Sequence, residues 1–168
     1  MRGVPRPCPF LTQARLKKIC SYDPITGLFV WFPELERKQR RTYQHNRGYL
    51  QVFIDGRLYL LHRLAWLYVH GAMPVIGLDH ENERKHDNRL ANLRPATQSQ
   101  NLQNTGRRKS NTSGFKGVSW QKCAKKWAAY ITVNYRRTHL GLFPTPELAH
   151  QAYCAAATKH HGAFARFN

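Results

Sequence analysis

Apolar residues recur along this chain at two spacings, and the places where one gives way to the other mark out its elements. Near the start, Leu11, Leu16 and Ile19 share one face of a helix running from Thr12 to Cys20. Tyr22-Asp23-Pro24-Ile25-Thr26-Gly27 is turn chemistry, and Leu28-Phe29-Val30-Trp31 reads as a strand. Tyr49 to Ile54 and Arg57 to Leu61 form the two arms of a hairpin around Asp55-Gly56, a dipeptide that accepts the left-handed backbone of a tight turn. From His62 to His70 the period becomes helical: Leu64, Leu67 and Tyr68 recur on one side, and Trp66 and Tyr68 read as core. A short apolar run then ends at Leu78-Asp79-His80. Glu81 to Arg89 is a charged loop with turn-forming Asp87-Asn88, and Leu90 to Thr97 is a second short strand. Thr97 or Ser99 can cap a helix carrying Asn101.

Beyond Asn104 the apolar rhythm stops until Phe115. Three strands follow: Phe115 to Lys122, Lys126 to Val133 and Arg137 to Phe143, with Asn134-Tyr135-Arg136 as the turn between the last two. Thr145 or Pro146 starts a helix reaching His160, with Leu148, Ala152, Ala155 and Ala156 on its inner face. Small alanines there let the helix lie close against a sheet. The fold class is therefore α+β, in four segments: an extension over 1–48, a first module over 49–104, a polar basic linker over 105–112, and a sheet-and-helix unit over 113–168.

Charge narrows the partners. Lys and Arg number 27 against 9 acidic residues, a net charge of +18. Every acid except Glu147 lies before Gln98, so the second half is almost purely basic. An excess spread over folded segments is the footprint of a polyanion. A membrane surface is the competing polyanion, but no basic amphipathic helix and no apolar run of ~20 residues supports it. Nucleic acid is the better partner, and the stretch Arg37-Lys38-Gln39-Arg40-Arg41 reads as a loop over phosphate. Met1 to Phe10 has no apolar stretch of a secretory leader. Cys8, Cys20, Cys123 and Cys154 form no C-x-x-C pair, so they read as incidental thiols of a reducing cytoplasm, in a bacterial or phage-infected cell.

The densest chemistry is Gly77-Leu78-Asp79-His80 followed by Asn92 and Asn101, laid out as strand, polar loop, strand and short helix. With Leu61-His62-Arg63-Leu64-Ala65-Trp66 upstream and the run Asp87 to Arg94, this resembles the HNH (ββα-metal) nuclease module. The resemblance implies that Asp79 and Asn101 hold one divalent cation, that His80 is the general base, and that Asn92 orients it. His62 recurs there as well, either in packing or as a second-shell or phosphate contact; His86 acquires no role. The residue types suit the chemistry. Imidazole can take a proton from water near neutral pH. A hard cation stabilises charge on the phosphorane and the departing oxygen. Carboxylate and carboxamide oxygens suit Mg²⁺ or Mn²⁺ rather than Zn²⁺. Because adjacent strand residues point to opposite faces, Asp79 and His80 converge only if the strand ends or bends there.

Gly117-Val118, Trp127-Ala128-Ala129, Leu140-Gly141-Leu142-Phe143 and Ala149 through Ala157 with Tyr153 make residues 113–168 resemble the APETALA-type (ethylene-response) DNA-binding domain. In that family a three-stranded sheet lies in the major groove, which it fits sterically. The implied groove-facing residues are Lys116, Ser119, Gln121, Tyr130, Thr132, Arg137 and His139. Lys122, Lys126 and Arg136 are implied phosphate contacts, which position without specifying. The plant proteins use mostly Arg and Trp at such places, so their target does not carry over.

Together these readings give a homing-type HNH endonuclease of phage or mobile-element kind, a monomer or weak dimer with a tethered DNA reader. It would nick duplex DNA with Mg²⁺ or Mn²⁺ and leave 3′-hydroxyl and 5′-phosphate ends. The rivals are a DNA-binding regulator built from the same modules without catalysis, and a nuclease directed at RNA. Sheet reading favours B-form DNA over the narrow A-form groove.

Overall fold

The computed structural model describes residues 11–33, 41–45, 48–107 and 110–167, so all of the basic stretch 37–41 except Arg41 lies outside the described residues. The chain forms two compact units, Met1–Pro95 and Ala96–Asn168. Both are mixtures of helix and small antiparallel sheets, as the hydrophobic patterning predicts.

In the first unit, helix α1 (Gln13–Ile19) starts at Thr12, whose Oγ1 accepts the Arg15 backbone N–H at 3.2 Å. Such a cap stabilises a helix by about 1 kcal/mol. The chain leaves α1 directly into β1 (Cys20–Tyr22), which pairs antiparallel with β2 (Phe29–Trp31). β1 was invisible in the sequence because Cys20 continues the helical apolar pattern. A second sheet, in the order β3-β4-β5, joins β3 (Thr42–Gln44), β4 (Leu50–Ile54) and β5 (Arg57–Leu60). Asp55 and Gly56, at φ 46° and 83°, make the tight turn between β4 and β5. Helix α2 (Leu61–His70) follows without a break and ends at Gly71, φ 79°.

Leu16, Ile19, Val52, Ile54 and Leu64 are fully buried where α1, α2 and β4 meet. Each contributes roughly 1.5–3 kcal/mol of hydrophobic stabilisation. Trp66 departs from its core reading: it is half-buried on the flank of α2 and lies against His70, ring centroids 4.0 Å apart. The core face of α2 is taken by Leu61, Leu64, Ala65 and Leu67, and one residue of helix turns Trp66 100° away from Ala65. The last pair of strands in this unit is β6 (Gly77–His80) and β7 (Leu93–Ala96). Leu90–Asn92 is a 3₁₀ turn rather than the start of a strand, because the Leu90 N–H is drawn to Pro24 O at 3.0 Å.

The second unit opens with α3 (Gln98–Asn104). Thr97 closes a reciprocal cap: its Oγ1 accepts from Gln100 N while Gln100 Oε1 accepts from Thr97 N at 2.9 Å. Strands β8 (Val118–Gln121), β9 (Lys126–Val133) and β10 (Arg136–Phe143) form an antiparallel sheet in the order β10-β9-β8. Asn134 and Tyr135, at φ 47° and 65°, make the β9–β10 turn. Helix α4 (Pro146–His161), capped by Thr145, packs across the sheet.

The buried stripe of α4 is Ala149, Tyr153, Ala157 and His161; of the expected inner face, Ala152 and Ala156 are partly buried and pack against the core, while Leu148 and Ala155 are exposed. Leu148 is 43% exposed. The reason is a close approach: a Cβ on Gly117 would collide with the Tyr153 ring, so Tyr153 sets the face of the helix. Gly117 also sits at φ 77°. Gly117→Ala is expected to destabilise this unit by about 3 kcal/mol, through the left-handed backbone and the collision together. Urea unfolding of the variant checks this; a loss below about 1 kcal/mol would contradict the packing.

Candidate active site

β6 delivers two chemical side chains to different neighbours. Asp79 is 5% exposed and receives both Arg94 Nε (3.0 Å) and Nη2 (2.9 Å) on Oδ2. Arg94 stands on β7, the partner strand, so the pair is a cross-strand ion pair holding the carboxylate in one orientation. His80, 3% exposed, ends the strand and packs elsewhere, its ring 5.1 Å from that of His62 and 5.8 Å from that of Tyr49. Strand alternation is thus kept: Asp79 engages β7 while His80 engages a ring cluster with α2. The chain turns immediately afterwards, Glu83 N–H donating to His80 O at 2.9 Å.

The loop between β6 and β7 is stapled by Asn92. Its Nδ2 donates to Asp87 O at 2.8 Å and its Oδ1 accepts from Asn82 N at 3.0 Å, while its own carbonyl accepts from Glu81 N. Asn92 therefore acts on the loop backbone that follows His80. Asn82 Nδ2 and the Arg89 guanidinium both donate to Asp87, and Arg89 first of all holds that carboxyl far below the usual range.

Burial pushes the His80 pKa down; the Asn88 side chain beside it, then the charges of Asp79 and Asp87, oppose this, and Lys85 reinforces it. A buried imidazole kept neutral but close to the carboxylates of Asp79 and Asp87, which would compensate a positive charge on it, is suited to accepting a proton. Asn88 is 3% exposed, and its Oδ1 is buried with no hydrogen-bond partner.

His62, 5% exposed, is pushed down to about 3, by burial first and then by His80 and Arg63. It is a neutral wall to the His80 ring. Because the folded value lies below the ordinary 6.5, the unfolded chain takes this proton first as pH falls. The stabilisation is complete above pH 6.5 and drains away towards pH 3. At about pH 5 the loss amounts to roughly 2 kcal/mol. Denaturant midpoints of the wild type and His62→Gln near neutrality and near pH 5 check it: the wild type loses that stability and the variant keeps it.

Asn101 lies on α3, half-buried, in the second unit. Its backbone N–H donates to Thr97 O at 3.0 Å, and its carbonyl accepts from Thr105 Oγ1. Among the described residues no three or more His, Cys, Asp and Glu side chains gather as a metal site. Each unit carries a hard oxygen donor, the Asp79 carboxylate in the first and the Asn101 carboxamide in the second, and donors of that kind suit Mg²⁺ or Mn²⁺ rather than a four-coordinate zinc centre.

In the second unit, the strand register puts Ser119, Gln121, Lys126, Tyr130, Thr132, Arg137 and His139 on one face of the sheet. The pairs are Gln121 with Lys126, Tyr130 with His139 and Thr132 with Arg137. α4 takes the other face through Val118, Ala129 and Ile131. Arg137 lies over the Tyr130 ring at 3.7 Å, a cation–π contact that stiffens both. Lys122 and Arg136 are exposed at the sheet ends. Lys116 is engaged inside the unit, its Nζ donating to Gln103 O at 2.7 Å. Lys116, Ser119, Tyr130, Thr132 and Arg137 line a cavity of about 530 Å³ together with α3, Arg107 and Asn111.

Sequence reasoning missed Arg94, Asn88 and Tyr49. Arg94 carried one usable signal, a charge opposite to Asp79 on the next strand; Asn88 read only as a turn former, and Tyr49 only as a strand residue.

Known proteins resemble both units. A family model described as "HNH endonuclease" matches residues 59–103, and one described as "AP2 domain" matches 113–163. Protein 3.8 of Escherichia phage T7 is 32% identical over 107 residues, covering 63% of this chain and 88% of that protein. A solved structure described as "DNA binding and cleavage by the HNH homing endonuclease I-HmuI" is 19% identical, covers 84% of each chain and superposes with a TM-score of 0.40.

Proposed function

From the premise that this chain belongs to the HNH endonucleases and carries an AP2 domain behind its nuclease module, we propose that it nicks duplex DNA at a site chosen by the AP2 sheet. The observation that carries this reading is the pair at the end of β6: Asp79 fixed by Arg94, and beside it the buried His80 imidazole held between His62 and Tyr49.

His80 takes a proton from the attacking water, which then adds to phosphorus in line with the departing 3′ oxygen. Asn92 fixes the loop that follows His80, so the ring meets the water in one orientation. Asp79 and Asn101 would hold Mg²⁺ or Mn²⁺, which when bound stabilises negative charge on the phosphorane and the leaving oxygen. Arg94 keeps the Asp79 carboxylate aimed before any ligand arrives. The products are a 3′-hydroxyl and a 5′-phosphate. One such site cuts one strand, so a monomer nicks, and a double-strand break needs a dimer or a second event.

The AP2 face supplies address. Ser119, Gln121, Tyr130, Thr132, Arg137 and His139 share a surface that fits the major groove, while Lys122, Lys126 and Arg136 reach phosphates. Lys116 joins them once it leaves Gln103. Tethering a reader to a weakly selective nuclease raises the local concentration of the cutting module at one locus, the logic of a homing-type enzyme.

The ends test the chemistry. Nicked circles made by the protein should be resealed by DNA ligase alone. A requirement for prior kinase or phosphatase treatment would contradict water attack with 3′ oxygen departure.

A further inference from the structure

The nuclease match begins at residue 59, yet a hairpin far upstream reaches into the catalytic loop. The turn joining β1 to β2 is closed on itself: Asp23 accepts from Ile25 N and Thr26 Oγ1 at 2.9 and 2.7 Å, and Gly27 N donates to Asp23 O at 2.8 Å. Against it lies the backbone of Asn88–Leu90. The buried Tyr22 hydroxyl donates to Asn88 O at 2.7 Å, and Leu90 N donates to Pro24 O at 3.0 Å. Gly27 completes the seat. A Cβ there would stand 2.8 Å from Asn88 C and nearer still to Arg89 N, so the two backbones touch without room for a methyl group.

We propose that this hairpin positions the base of the nuclease: Tyr22 and Gly27 fix the Asn88 backbone, next to the Asp87 carbonyl that Asn92 holds, and Asn92 in turn ties down Glu81, the residue after His80. The inference rests on His80 being the base. Three observations converge on it. Asn88 is 3% exposed, so the hairpin packs on a buried stretch of the loop. Its carbonyl is held by the Tyr22 hydroxyl while the preceding Asp87 carbonyl is held by Asn92 Nδ2. The Glu81 N–H, next to His80, donates to the carbonyl of the same Asn92 at 3.0 Å. Asn92 staples the loop from the Asp87 side and the hairpin from the Asn88–Leu90 side, leaving the loop no direction in which to shift.

Tyr22 and Gly27 touch neither DNA nor metal in this account, so they are positioning residues. The control is Thr26→Val, which loosens the same turn by removing the Thr26–Asp23 hydrogen bond but leaves the Tyr22 hydroxyl and Gly27 in place. The full-length chain and its Tyr22→Phe, Gly27→Ala and Thr26→Val variants are compared in two ways: kcat and KM for nicking, and the imidazole proton–carbon NMR signals of His80, assigned by their loss in His80→Gln. Tyr22→Phe should lower kcat about tenfold, and Gly27→Ala more, with KM within about twofold of the wild type. Both should move the His80 signals, while Thr26→Val leaves kcat and the signals in place. Unmoved His80 signals in Tyr22→Phe would overturn the proposal, as would equal kcat losses in all three variants. If Gly27→Ala does not fold, Tyr22→Phe decides. If the wild-type chain cuts no DNA, the nuclease reading has failed on its own, and the NMR arm still judges the brace.

Discussion

Replacing His80 with alanine lowers metal-dependent nicking about a thousandfold, within the range that a positioned general base contributes, while duplex affinity stays at the wild-type level. The imidazole is 3% exposed and its ring lies between His62 and Tyr49, so it offers little surface for phosphate contacts. On the proposed mechanism its loss removes the proton acceptor and leaves the AP2 face untouched. Truncation also leaves a cavity, so a modest loss of stability accompanies the variant, and the assay belongs well below its melting point. Asp79→Ala has the same direction for a second reason. It removes the proposed cation donor and strands the Arg94 guanidinium, 18% exposed, without its carboxylate. Asp79→Ala should therefore lose more stability than His80→Ala. Single-turnover cleavage and gel-shift titration on the same duplex separate chemistry from binding. A His80→Ala protein that binds poorly yet cuts normally at saturation would show that His80 is not the base.

Binding itself should collapse with salt. The chain carries +18, and the exposed Lys122, Lys126, Arg136 and Arg137 surround the sheet face. With about six to ten phosphates neutralised, affinity falls roughly 10³- to 10⁵-fold between about 50 and 200 mM salt. Arg137→Ala sharpens the prediction, because it removes the cation over Tyr130 as well as a groove contact. It should weaken specific binding by about 1–3 kcal/mol and leave the cleavage rate of bound DNA unchanged. Lys126→Ala, a phosphate contact, should weaken all sequences alike and lower the salt slope by about one. Fluorescence anisotropy over a salt series checks all three. A flat salt response would remove nucleic acid as the partner.

Much of this architecture could be read before any coordinates. Asp55-Gly56 and Asn134-Tyr135 specify tight turns by backbone chemistry, and Thr97 with Gln100 specifies a helix start, so the flanking elements followed. The candidate residues Asp79, His80, Asn92 and Asn101 stood out because they sit at spacings that carry a family pattern. Illegible parts share a physical cause, namely dependence on contacts distant in sequence. β1 is three residues long and exists because β2 pairs with it. The stripe of α4 is set by Gly117 admitting the Tyr153 ring, which no helical periodicity encodes. Leu90 leaves the strand pattern because Pro24 claims its N–H. Arg94 reads as an ordinary basic residue until β6 and β7 are placed side by side, and Asn88 reads as a turn former until its burial is seen.

The central claim is that this chain cuts DNA with a hydrolytic site built on Asp79 and His80. The most direct measurement incubates supercoiled plasmid, including DNA from the protein's own locus, with the purified chain in Mg²⁺ or Mn²⁺. EDTA, His80→Ala and Asp79→Ala controls run in parallel. The account predicts open circles that appear only with metal and wild-type protein. Tight duplex binding without cleavage in either metal would contradict it and leave a DNA-binding regulator in its place.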